Sequence, residues 1–211
     1  PYTEDLDGLP VINIRNVPLT NTMNKLIKRL IDIIGSIIAL ILFSPIMLIV
    51  AILVKKSSPG PIIFAQERIG LGNKPFKMYK FRSMTDERDE NGELLPDEVR
   101  LTKFGAWLRK SSLDELPEVF NILNGTMSLI GPRPQLVRDM VFMTNEQRKR
   151  HTAKPGLSGL AQINGRNSIS WEDKMNWDIE YIEKCGFFED IRIIFLTVKK
   201  AFIKQEGITQ D

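Results

Sequence analysis

From Ile33 to Val54 the chain runs 22 residues without a charged side chain, and Ser44-Pro45 sits at the middle of that run. About 20 apolar residues suffice for a helix to cross the hydrocarbon core of a bilayer, so the length qualifies as a membrane segment. Pro45 complicates it. Proline has no backbone N–H and its ring clashes one turn back, at a cost of roughly 3 kcal/mol inside a helix. The flanks add a second constraint: Lys25, Lys28 and Arg29 precede the run and Lys55, Lys56 and Arg68 follow it, so the positive charge that marks a cytoplasmic flank stands on both sides. Three topologies stay open on pattern alone. A re-entrant helix bends at Ser44-Pro45 and leaves by the face it entered, a kinked helix spans, or a core helix is buried in protein. In the first, the carbonyl near Ile41 that Pro45 leaves without a donor is met by Ser44 or nearby side chains, as a break at membrane depth requires.

A chain of 211 residues leaves about 150 for a compact domain beyond this segment. The net charge of +3 suits an anionic membrane surface or phosphorylated substrates and makes no case for nucleic acid. Cys185 is the single cysteine, which excludes an intramolecular disulfide and points to a packing role. The apolar run begins too far from the N-terminus, is too long and lacks a small-residue cleavage site, so a cleaved signal peptide is not expected. Three regions follow: residues 1–24 as a linker or the remnant of an upstream region, 25–56 as the membrane segment, and 57–211 as a cytosolic catalytic domain.

Residues 1–24 contain a short β-like stretch, Val11 to Ile14, but no pattern that builds a core. Ser57-Ser58-Pro59-Gly60-Pro61 ends the membrane helix. Ile62 to Ala65 and Phe76 to Arg82 read as strands joined by a turn at Gly70 and Gly72, with Lys80 and Arg82 on one strand face. Asp86 to Glu98 reads as a solvated acidic loop. Helices are expected near 102–110, 114–123, 134–150, 170–184 and 187–204. In the last, Phe187, Phe188, Ile191, Ile194, Phe195, Val198 and Phe202 fall at three- and four-residue spacing. Core packing is the default there, and an interfacial helix lying on lipid is the sharper alternative.

Chemistry concentrates in Arg109-Lys110-Ser111-Ser112-Leu113-Asp114-Glu115-Leu116-Pro117. Ser112 followed three residues later by Glu115 is a capping-box pattern, which accounts for both residues without chemistry. The functional alternative uses the same geometry. Carboxylates in a first helical turn lie near exposed N–H groups and the positive dipole end, so Asp114 stays ionised and a phosphate docks beside it. Such a pair supplies a nucleophile and a ligand for Mg²⁺, an ion usually held by one or two carboxylates plus phosphate oxygens. Arg133, fixed between Pro132 and Pro134, suits a bidentate phosphate contact. Lys80, Arg82 and Arg109 are further phosphate candidates, and the polar turns carrying Lys154, Arg166 and Asn167 are candidates for nucleotide or sugar contacts. His151 has no Cys or His nearby for a zinc site. Phosphate-binding and dinucleotide glycine fingerprints are absent.

In order along the chain, KRLID, the Ser-Pro break, GPIIFAQERIG, FKMYKFRSM, LTKFGAWLRKSSLDELPEVFNIL, GTMSLIGPRP, RHTAKPGLSGLAQINGRN and SWEDK resemble the bacterial sugar transferases, the monotopic phosphoglycosyl transferases. The resemblance runs from Lys25 to the C-terminus. It implies an α+β, mainly helical fold: a re-entrant membrane helix-break-helix plus a small cytoplasmic catalytic domain with short strands and amphipathic interfacial helices. It implies transfer of a phosphosugar from a UDP-sugar to undecaprenyl phosphate, with Asp114 as nucleophile, Glu115 in support, and Mg²⁺ as cofactor. The location implied is the bacterial inner membrane with the catalytic domain facing the cytoplasm, and downstream glycosyltransferases are implied partners. Asn164-Gly165-Arg166-Asn167 followed by Ser170-Trp171-Glu172 is similar to members acting on N-acetylated amino sugars. DLDGLPVINIRNVPL resembles the junction before the catalytic region of longer members, so a truncated chain or a lost upstream domain is expected. A catalytically silent membrane-bound scaffold is the competing reading, and oligomeric state stays open.

Overall fold

A computed structural model describes residues 2–6, 9–13, 22–165 and 168–203. Two short strands, β1 (Tyr2–Leu6) and β2 (Leu9–Asn13), form an antiparallel hairpin. They are followed by one long helix, α1 (Thr22–Ser57). Strands β3 (Ile63–Ile69) and β4 (Pro75–Phe81) pair antiparallel. Their turn uses left-handed backbone at Gly72 and Asn73, the conformation glycine adopts without steric cost. Next come α2 (Asp97–Arg100), α3 (Lys103–Lys110), α4 (Glu118–Leu123), β5 (Ser128–Ile130), α5 (Asn145–Arg148), β6 (Gly156–Ser158), α6 (Leu160–Ile163), α7 (Trp171–Lys184) and α8 (Phe187–Ile203). The fold is mainly helical, with paired short strands.

α1 is long and apolar enough to cross a membrane, and only 11% of its most apolar window is buried. That exposure rules out the core-helix reading. The two ends of α1 dock on the rest of the chain while the middle stands out. Near the start, Lys28 Nζ donates to Asp190 Oδ2 at 2.6 Å, to Ile130 O at 2.9 Å and to the Tyr181 hydroxyl at 3.0 Å. Arg29 donates to the carbonyls of Ile122 and Leu123, both at 2.6 Å, at the end of α4 where carbonyls lack helical partners. Asp32 accepts from the Ser128 hydroxyl and the Leu129 N–H. Lys28 and Arg29 are therefore structural ties rather than free flanking charges. At the other end Val50 and Val54 pack with Phe81 and Leu108, each such burial stabilising by about 1.5–3 kcal/mol.

The expected division of α1 into two helices differs from what is seen. α1 runs unbroken from Thr22 to Ser57 with Pro45 inside it. The Ser44 hydroxyl donates to the Ile41 carbonyl at 3.1 Å, supplying the bond that proline cannot, so the defect is satisfied locally.

Helices α3, α7 and α8 fall where periodicity places them. Thr102 caps α3 and Ser170 caps α7. The segment expected as a helix over 134–150 does not form one. Val137–Phe142 is a 3-10 stretch, and α5 starts only after Thr144, whose side chain makes a capping box with Gln147; a capping threonine restarts the helix rather than continuing it. The acidic 86–98 loop is more ordered than its composition suggests. Asp89 Oδ1 accepts from the N–H groups of Asn91 and Glu93, and Arg100 ties the loop base to the Thr85 and Leu95 carbonyls. In α8, Ile193 and Asp190 are buried. Phe188 is 85% and Phe195 66% exposed, with Phe187, Ile191 and Val198 beside them. Its buried face packs on the core cluster that contains Ile130, Tyr181 and Cys185, and its opposite apolar face is open.

Candidate active site

The chain reaches the Asp114–Glu115 pair through a 3-10 turn, Leu113–Glu115, instead of the first turn of a long helix. Pro117 explains the delay. Lacking an N–H and fixed near φ −65°, it leads into α4 in place of lying within it. Ser112 adopts left-handed backbone and its side chain does not cap the turn, so the capping-box account of Ser112 and Glu115 is incorrect. The Glu115 carboxylate is used elsewhere. Its Oε1 accepts from Arg133 Nη2 at 2.6 Å and from Lys80 Nζ at 2.9 Å.

Three elements bring this cluster together. β4 carries Lys80, the turn and α4 carry Asp114, Glu115 and Glu118, and the Gly131–Pro134 turn carries Arg133. Asn121 bolts α4 to β4: its Oδ1 accepts from Tyr79 N–H at 2.9 Å and its Nδ2 donates to the Lys77 carbonyl at 2.7 Å. The Arg133 turn is seated by Gly156 N–H donating to the Pro132 carbonyl and Gly131 N–H donating to the Ser158 carbonyl. A side chain on Gly156 would come within 2.0 Å of the Gly131 nitrogen, so only glycine permits this approach. Arg150, itself 1% exposed, donates to the Arg133 carbonyl at 2.6 Å while paired with Asp178.

Burial raises the pKa of Asp114, with attraction to Lys80 working against it and Glu115 adding to the rise. A carboxylate of raised basicity is a better nucleophile. For Glu115 burial pushes upward, but Arg133 and Lys80 together outweigh it and hold the group at about 2. Glu118 goes the other way. It is 3% exposed, and burial lifts it to about 7 despite Lys80 at 3.3 Å. Two carboxylates that share Lys80 are thus shifted in opposite directions.

The basic candidates divide. Lys80 and Arg133 enter the cluster directly. Arg109 borders it, contributing attraction at Asp114, while its guanidinium donates to the Ser83 hydroxyl and the Met84 sulfur. Arg82 does not join them. It is buried, paired with Asp86 at 2.6 Å and donating to the Met84 carbonyl, with Gly60 against its guanidinium. Lys154 lies beside Gly125 and Arg29, with Asp32 as a counter-charge, and its Pro155-Gly156 neighbours serve the Arg133 turn. Arg166 and Asn167 lie outside the described residues. Two residues near the cluster are not read as site residues from the sequence, where Arg68 stands as a flank of the apolar run. Glu118 stands three residues after Glu115 and four after Asp114, the spacing that shares a helix face. Arg68 feels Arg133, Asp139 and Glu118, and it reaches them through the β3–β4 pairing and a bridge to Leu136, which no local pattern announces.

The described residues hold no group of three or more acidic, His or Cys side chains arranged as a metal cage. Two hard oxygen donors, Asp114 and Glu115, fit Mg²⁺ as an ion whose remaining ligands come from substrate phosphates and water.

The chain is 50% identical over 185 residues, 88% of its length, to the uncharacterized sugar transferase EpsL of Bacillus subtilis, covering 91% of that protein. It is 44% identical over 97% of its length to a UDP-glucose:undecaprenyl-phosphate glucose-1-phosphate transferase of Klebsiella pneumoniae, covering 46% of it. A UDP-N-acetylgalactosamine-undecaprenyl-phosphate N-acetylgalactosaminephosphotransferase of Aeromonas hydrophila is 39% identical over 86% of the chain, which covers 45% of that protein. The chain thus spans about half the length of these last two relatives and nearly all of the first. Residues 23–204, from the start of α1 through α8, match the family model described as bacterial sugar transferase, and the chain belongs to that family.

Proposed function

We propose that this chain transfers a phosphosugar from a UDP-sugar to undecaprenyl phosphate, the first membrane step of a polysaccharide or glycoconjugate pathway. One observation carries the reading: a buried Asp114 of raised basicity beside Lys80 and the Arg133–Glu115 pair, on a body that holds both ends of an exposed apolar helix. The Asp114 carboxylate attacks the β-phosphorus of the UDP-sugar, a P–O bond forms, and the bond to UMP breaks. An oxygen of undecaprenyl phosphate then attacks the same phosphorus, breaking the aspartyl bond and restoring the carboxylate. Lys80 and Arg133 bind the diphosphate, and Arg109 adds positive charge near the nucleophile. When bound by Asp114 and Glu115, Mg²⁺ neutralises diphosphate charge.

Both docked ends of α1 and its open middle support a re-entrant helix at the cytoplasmic face of the inner membrane. The open apolar face of α8 supports its lying on lipid. Single cysteines at Asn24 and Ser57 are then both labelled from the cytoplasmic side, and opposite-side labelling would establish a spanning helix. Relatives named for UDP-glucose and for UDP-N-acetylgalactosamine define the donors to screen, and the Asn164–Asn167 stretch favours an N-acetylated amino sugar. Detergent-solubilised protein given labelled UDP-sugar should release UMP and retain a labelled adduct. Asp114→Asn should lose both by at least about 1000-fold. Persistence of both sinks the nucleophile assignment, and donor binding without UMP release from the wild type would favour a silent binding module.

A further inference from the structure

Glu118 has no task in the two steps above, yet it is 3% exposed within the same cluster. Burying a carboxylate is costly, and a paired cation offsets part of that cost. Its Oε1 lies 3.3 Å from Lys80 Nζ, and Glu115 Oε1 lies 2.9 Å from the same ammonium. Glu115 Oε1 is also 2.6 Å from Arg133 Nη2. With no diphosphate present, the oxygen that a divalent cation would seek is covered by two positive groups. A nucleoside diphosphate competes for those groups, since charged bonds from arginine and lysine to phosphate are among the strongest available. Withdrawal of Lys80 and Arg133 to phosphate oxygens takes these two cations off Glu115 Oε1. Lys80 then needs a second anchor. Glu118 is in place for it, in the first turn of α4, which Asn121 fixes to β4.

We infer that Glu118 is a positioning residue that retains the Lys80 ammonium when a nucleoside diphosphate draws it from Glu115, so that Glu115 Oε1 exchanges these cations for a divalent one when the diphosphate is present. The inference rests on the proposed diphosphate site and makes metal and nucleotide binding cooperative. Linkage makes the coupling reciprocal.

Mn²⁺ titration of the full chain in detergent, read by the paramagnetic resonance of free Mn²⁺ with and without UDP, tests it. A protein-free Mn²⁺–UDP control is subtracted, and the pH is about 8, where carboxylates are ionised. UDP should tighten Mn²⁺ binding to the wild type by roughly tenfold, an ordinary coupling between two sites. In Glu118→Gln the gain should shrink to about twofold or less, and Glu118→Asp should restore most of it. Lys80→Met should bind Mn²⁺ more tightly than the wild type when UDP is absent. Equal Mn²⁺ affinity with and without UDP in the wild type overturns the inference. An unchanged UDP gain in Glu118→Gln also overturns it, because a merely structural Glu118 would lower the melting temperature and leave that gain intact. Wild-type protein that releases UMP but shows no UDP gain sinks this inference alone; protein that neither binds UDP nor releases UMP sinks the proposed function with it.

Discussion

Arg150 and Arg133 each meet a carboxylate at 2.6 Å, but in different surroundings. The Arg150–Asp178 side chains are 1% and 2% exposed, whereas those of Arg133 and Glu115 are 37% and 12% exposed. Arg150 spends its donors inward, on Asp178 and on the Arg133 carbonyl. Arg133 reaches outward, and its acceptor is shared with Lys80. The first pair is a strut and the second belongs to the proposed site, and the difference lies in access and in competition for one oxygen, not in pair chemistry.

The largest expected effect is on the strut. Asp178→Asn leaves the Arg150 guanidinium buried without its counter-charge, so unfolding free energy should fall by about 3–5 kcal/mol, checked by denaturant unfolding. A loss below about 1 kcal/mol would show that the pair is not closed to water. The complementary change is Arg133→Lys. With its side chain more than a third exposed, its stability should move by less than about 1 kcal/mol. UMP release should nevertheless fall roughly 100-fold, because a point charge does not replace a planar two-donor contact to phosphate. Equal losses of stability and activity in the two variants would erase the contrast.

The smallest effect is a pH signature within the cluster. Glu118 is raised from 4.5 to about 7, so the folded state binds more protons than the unfolded one in that window. Its contribution is fully present below about 4.5 and is lost as pH rises through about 7. Glu115 has the opposite sign: lowered to about 2, its contribution is present above 4.5 and is lost on acidification toward 2. Wild-type melting temperature should therefore decline relative to Glu118→Gln between those first two values. A constant difference across that range would place Glu118 outside the coupled group.

Much of the site was legible because its residues are chemically unusual where they stand. Asp114, Glu115, Lys80 and Arg133 were each identifiable from type, spacing or flanking prolines, and the structure brings all four into one cluster. Ser112 shows the limit of spacing: the pattern of a capping box was present, but Ser112 sits in left-handed backbone and its side chain makes no capping bond. Arg82 and Lys154 show another. A cation's surroundings are decided by which chain segments arrive beside it: Gly60 and the nearby Asp86 at the first, and the distant Arg29 and Asp32 at the second.

α1 divides the two kinds of knowledge most sharply. The uncharged run from Ile33 to Val54 and the proline defect within it follow from the sequence, because hydrophobic runs and proline defects are local properties; that Ser44 answers Pro45 was one of the options it left open. That both ends are held by one body required tertiary contacts: Lys28 with Asp190, Arg29 with the end of α4, Val54 with Leu108. The same division holds at the site. Which acid is strong and which is weak was not written in Asp114, Glu115 and Glu118 themselves, since all three are carboxylates in one short stretch. Burial and the positions of Lys80 and Arg133 decided it, because a carboxylate's charge is set by the water it loses and the cations that replace that water.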